Sequence, residues 1–165
     1  KLFLDKPATP NPEAIKAIQE ADFILLGPGD LYTTTIANII VNGIPEAINT
    51  SNGKLVLINN LMTKRGQTHW MSARDLVSEV VKYCLRKPDI ILMNNAVIPE
   101  DILQIYQAEG EEVMKDDLSD EEFVVVRADL ISGKVKKESG DVLKRSLIRH
   151  DASKLSRELY KIFTQ

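Results

Sequence analysis

A chain of 165 residues, 44% hydrophobic and 27% charged, can bury a core and sits close to the usual size of one domain. Its 24 acidic and 21 basic residues leave a net charge of -3 spread along the chain, which excludes the basic stripe that nucleic-acid backbones require. No apolar run approaches the roughly 18 residues of a membrane span, and the lone Cys84 excludes a disulfide framework or a thiolate metal cluster, so a soluble protein of the reducing cytoplasm is expected.

The chain starts on Lys1 with a strand-like stretch, residues 1–5, in place of a signal or transit peptide, and is expected to be cut from something longer. Asn11 before Pro12 opens a first helix. Residues 22–26, 55–59 and 89–94 are rich in Ile, Leu and Val on both faces, the pattern of parallel strands covered on both sides. Helical segments separate them at the spacing of βαβ units, which predicts right-handed crossovers, a doubly wound sheet and a Rossmann-like three-layer α/β sandwich. Ser72 with Asp75 makes a capping pair for a helix over 72–85, with Cys84 on its apolar side. Another helix is predicted over 99–109. Between 111 and 145 two short runs, 123–127 and 134–137, are broken by Asp116-Asp117, Ser132-Gly133 and Ser139-Gly140-Asp141, and predict a charged hairpin-like elaboration. Asp151 can cap the last helix, whose Leu155, Leu159, Ile162 and Phe163 share one face and should pack on the sheet. No repeat or linker divides the chain, so it counts as one domain or part of one.

The segment ILLGPGDLYTTTIANIIVNGI, beginning at Ile24, runs a strand into Gly27-Pro28-Gly29 and then into Thr33, Thr34 and Thr35 at a helix start. Glycines allow close backbone approach, and amides and hydroxyls at a helix start can hold phosphate. The loop also falls at the carboxyl end of a strand, where open α/β sheets bind ligands. A tight turn capped by threonine, with nothing bound, is the alternative. The second strand runs into a polar loop with Asn60, Thr63, Lys64, Arg65 and Thr68, and the third into Asn94-Asn95. Three such strand ends suit a nucleotide or sugar nucleotide, although Lys64 and Arg65 alone would read as a solvated pair. Asp30 could hold Mg²⁺ near phosphates or act as a base, but capping or turn formation carries more weight. His69 and His150 have no ligand partner at zinc spacing, so no metal site is assigned. From periodicity alone, Tyr106 and Arg149 are equally ordinary structural residues.

Three stretches, residues 21–44, NNLMTKRGQT at 59–68 and IRHDASKL at 148–155, resemble the gluconeogenesis factor branch of the CofD-like family. The resemblance covers nearly the whole chain but only the C-terminal half of such a protein, whose N-terminal half carries a glycine-rich first nucleotide loop. It implies a UDP-sugar-binding factor, supporting cell shape and growth on gluconeogenic carbon, without catalysis. A 2-phospho-L-lactate transferase of deazaflavin cofactor synthesis is the alternative within the family, and Mg²⁺ enters only with it. An interaction module without ligand is a third reading. Carried over by position, the ligand contacts are Gly27, Pro28, Gly29, Tyr32, Thr33, Thr34, Thr35, Asn38, Asn60, Met62, Thr63, Gly66 and Thr68. The resemblance adds Tyr106 on the uridine and Arg149 on the diphosphate. Asp30 and Lys64 join the candidate set because they depart from it: Asp30 stands where the family has serine, and Lys64-Arg65 where it has Gln-Pro. Ala37 replaces a proline, and Gln67 a glutamate. The expected partner is a nucleotide-sugar, and a half sheet is expected to expose an apolar edge or pair with another copy.

Overall fold

The computed structural model describes residues 1–133 and 148–164. Helix α1 (Pro12–Glu20) begins as the sequence predicts, the Asn11 side chain accepting from the Glu13 amide and Pro12 occupying the first turn, where its missing N–H is no loss. Four strands follow, β1 (Phe23–Leu26), β2 (Lys54–Ile58), β3 (Ile90–Asn94) and β4 (Val124–Ala128), side by side in chain order and all parallel. The register sets Leu25 beside Val56, Leu57 beside Ile91 and Leu92 beside Val126. The three expected parallel strands are therefore present, each within a residue of its expected bounds.

One face of the sheet, with Leu55, Leu57, Ile91 and Met93, packs against Ile48 of α3 (Ile44–Thr50) and Leu76, Val77, Val80 and Cys84 of α4 (Ala73–Cys84). The opposite face, with Ile58, Leu92 and Val126, meets Leu155 and Leu159 of the last helix, α6 (Ala152–Phe163). That completes three layers. Phe163 also meets Phe23 of β1, ring centroids 4.5 Å apart. Caps hold the helices as expected: Ser72 and Asp75 close a capping box on α4, and Asp151 accepts from the Lys154 amide on α6. Burial pushes the Cys84 thiol up to about 12, which keeps it an inert core group. Between β2 and β3, Arg86 donates to the Ile48, Ser51 and Gly53 carbonyls and to Asp89, tying α3 to both strands.

Three expectations are corrected. Residues 123–127 do not form a hairpin; they belong to β4, parallel to β3. The acidic residues that read as a turn are partners of a strand residue, because Arg127 on β4 donates to Asp116 and Asp120 at 2.6 Å and to the Leu118 carbonyl. The other expected hairpin run, 134–137, and the Ser139-Gly140-Asp141 breaker lie outside the described residues. Residues 1–5 form no strand; they lie along α4, where the Leu2 amide donates to the Tyr83 hydroxyl at 2.8 Å. Finally, the strand order advances in one direction, so no reversal of a doubly wound sheet falls among the described strands. Among the described residues β1 and β4 pair on one side only, and Leu25 and Val124 on them are exposed.

Candidate functional site

Parallel strands deliver their carboxyl ends to one edge, and here the loops after β1 and β2 meet there. Asn60, just past β2, donates from Nδ2 to the Gly29 carbonyl at 3.0 Å and accepts the Gly29 amide on Oδ1 at 3.4 Å, so one side chain locks the two loops together. Beyond Asp30 the chain turns into a π-helical turn (Leu31–Ile36), in which the Thr34 and Thr35 amides both reach the Asp30 carbonyl, and then into the short α2 (Ala37–Ile39). Asp30 takes the cap position, but its side chain makes no cap bond. The capping role favoured from sequence is thus not the one its carboxylate plays; it faces the cleft.

Two further segments close the site. After α5 (Glu100–Ala108) the chain runs antiparallel to the β2 loop: the Thr63 amide donates to the Glu112 carbonyl at 2.7 Å, the Thr63 hydroxyl accepts the Glu112 amide, and Met62 bridges Val113. The segment entering α6 pairs with the exit of β4, the Ser132 amide donating to the Arg149 carbonyl and the Asp151 amide to that of Leu130. Between these segments lies a cleft of about 400 Å³, within the range of small-molecule sites.

Nine of the seventeen candidate residues line it: Pro28, Gly29, Asp30, Asn60, Met62, Thr63, Lys64, Tyr106 and Arg149. The other eight do not. Gly27 is exposed to one side, and Tyr32 turns toward α4, its hydroxyl donating to Glu79 at 3.0 Å. Burial, then that bond, raises its phenol to about 12. Thr33, 3.4 Å from the Gln67 amide, and Thr34, packed on Gly29, face outward with Thr35 behind them. Asn38 spends its amide on the Thr34 carbonyl, and Thr68 is wholly buried, accepting the Lys64 amide. These residues build the loops and do not line the cleft. The lining residues that sequence reasoning left out of the set are Leu61, Glu111, Ile148 and His150. Glu111 looked like one more charge in a polar stretch, and only the pairing of its segment with the β2 loop brings it in.

Tyr106 keeps 7% of its surface exposed; its ring is packed with Leu61, Ile98, Ile102 and Ile148, and its hydroxyl accepts the Ile148 amide at 3.3 Å. Stacking on a base needs an open ring face, which this packing does not offer, so Tyr106 acts by fixing the main chain next to Arg149. Arg149 itself is exposed, and none of the described residues pairs with its guanidinium. Lys64 is held by Glu111 at 2.9 Å, and this contact raises its ammonium above the usual lysine value.

His150 lies inward of Arg149, and burial depresses its imidazole below the ordinary 6.5, partly opposed by a hydrogen bond with the Asn59 main chain. Its Nε2 and the Asn59 Nδ2 are buried without a partner among the described residues. A depressed folded value means that the unfolded chain takes up the proton first. Stability from the neutral His150 is therefore full above pH 6.5 and is lost as pH falls through the lower folded value. Urea unfolding at pH 7.5 and 5.5 should show a smaller loss for His150→Gln than for the parent; equal losses would exclude this role.

Fold and cleft together define an α/β protein with a polar cleft on the carboxyl edge of a parallel sheet. Comparison with known proteins narrows this class. The family described as 2-phospho-L-lactate transferase CofD matches residues 1–131, and the chain belongs to that family. The gluconeogenesis factor of Halalkalibacterium halodurans is 35% identical over 159 residues, covering 94% of this chain and 47% of that protein. The gluconeogenesis factor of Bacillus subtilis is 34% identical over 148 residues, covering 89% and 44%. A crystal structure of a Bacillus halodurans protein superposes with a TM-score of 0.80 at 30% identity, covering 94% of this chain and 48% of that one. The chain spans about half the length of the curated relatives it matches.

Proposed function

We propose that the protein is a gluconeogenesis-factor-like regulator that binds a UDP-sugar in this cleft, acting in the cytoplasm in support of cell shape and growth on gluconeogenic carbon. The observation that carries the reading is the convergence of the Gly29-Asp30 loop, Asn60 and the Arg149 guanidinium, unpaired among the described residues, on one cleft at the carboxyl edge of the sheet. Main-chain amides and a planar guanidinium suit a diphosphate, and a polar wall suits hydroxyls. The names of the two relatives above support the same reading.

The family's description favours a second reading, transfer of a phospholactyl group to a deazaflavin. In that case Asp30, whose carboxylate is not spent on a cap, is the residue that would help hold Mg²⁺, which would neutralise phosphate charge. Isothermal calorimetry on the full-length protein separates the two: saturable UDP-sugar binding is expected, and no turnover with deazaflavin, a guanosine-activated phospholactate and Mg²⁺. Turnover in the second mixture would replace the first reading by the second.

A further inference from the structure

The cleft is not uniformly cationic. Of two cations that line it, Arg149, on the segment entering α6, is exposed and unpaired among the described residues, whereas on the side of the β2 loop Lys64 is bound by Glu111, whose residue surface is only 5% exposed, with Asp30 on the loop after β1. The antiparallel contacts between residues 61–63 and 112–114 hold the pair in place, because the Thr63 amide donates to the Glu112 carbonyl, the Glu112 amide donates to the Thr63 hydroxyl and the Met114 amide donates to the Leu61 carbonyl. Two carboxylates against one ammonium leave that side with no spare positive charge. A phosphate placed there would face Glu111 and Asp30 in surroundings where charges are poorly screened. A neutral hydroxyl would instead find carboxylate acceptors and the remaining Lys64 N–H donors.

We propose that Glu111 is a specificity-determining residue: by occupying Lys64 it turns this side of the cleft from an anion site into one that reads sugar hydroxyls, so a UDP-sugar is accepted and UTP is refused. The proposal rests on the nucleotide-sugar reading above and adds to it the direction in which the ligand lies, diphosphate toward Arg149 and sugar toward Glu111. The discrimination is built partly on repulsion, since the wrong ligand meets a carboxylate where the right one meets an acceptor.

Calorimetry on the full-length protein with UDP-glucose, UDP-N-acetylglucosamine and UTP tests it. The parent should prefer a UDP-sugar over UTP. Glu111→Gln releases the Lys64 charge and should narrow that preference about tenfold, chiefly by tightening UTP. Lys64→Gln leaves the Glu111 charge unopposed and should widen it; Lys64 is half exposed, so this variant reads the same effect if Glu111→Gln fails to fold. A preference unchanged within twofold in a folded variant, or a parent that favours UTP, overturns the role of Glu111 while leaving nucleotide binding in place. A parent that binds none of the three overturns the nucleotide-sugar reading and this proposal together.

Discussion

Arg149→Ala is expected to weaken UDP-sugar binding roughly a hundredfold, the scale on which loss of a charge-assisted phosphate contact in a partly enclosed cleft is felt, about 3 kcal/mol. The side chain is exposed and no described residue pairs with it, so its removal leaves nothing unsatisfied in the fold. The main-chain bond from Ser132 to the Arg149 carbonyl survives any substitution. Thermal stability should therefore stay close to that of the parent. Arg149→Lys should restore little, because lysine keeps the charge but not the planar fork that bonds two phosphate oxygens at once. Titration of the two variants against the parent reads both effects; equal affinity for Arg149→Ala and parent would remove the residue from the site.

Gly53→Ala is expected to be the most damaging methyl group that could be added at any of the described glycines. A β-carbon at Gly53 would lie 2.2 Å from the Ala21 carbonyl oxygen, with the Ala21 and Asp22 carbonyl carbons at 3.1 and 3.2 Å. All three are backbone atoms of the approach to β1, and the amide of the next residue, Lys54, donates to the Asp22 carbonyl at 2.9 Å. No side chain can swing away, so relief requires parting β1 from β2 at the start of their register. Overpacking that the backbone must absorb costs about 3 kcal/mol or more. Gly27, where an added β-carbon meets nothing within 4 Å, provides the contrast: Gly27→Ala should change stability by no more than about 0.5 kcal/mol. Urea unfolding of the two variants compares them, and similar midpoints would show that the close approach can relax.

The strands were legible because β2 and β3 are buried from both faces, β1 is equally apolar, and apolar runs without alternation leave few other readings. Strand β4 was not, because its neighbours are acidic. Asp116 and Asp120 look like turn formers until Arg127 is seen to bind them, and that contact depends on folding rather than on sequence order. The cleft shows the same division. Gly29, Asp30, Asn60 and Lys64 follow directly from strand ends, so position along the chain was enough to find them. Thr33, Thr34 and Thr35 were misplaced because the helix start was read as an ordinary first turn; the π-helical winding from Leu31 turns their side chains away from the cleft. Glu111 and His150 enter through antiparallel pairings between distant segments, which no local pattern announces.

The pairing of residues 130–132 with 148–151 also sets which of two basic side chains meets the solvent. In extended chain successive side chains point opposite ways, and here Arg149 is turned outward while His150, bridged to Ile131, is turned inward. Sliding this short ribbon by one residue would exchange them, sending a guanidinium into the core and an imidazole to the cleft mouth. The ligand grip is thus encoded as a parity. A one-residue insertion just before Arg149 is expected to abolish the binding proposed above with every lining residue still present in the sequence, and a second inserted residue to restore the phase.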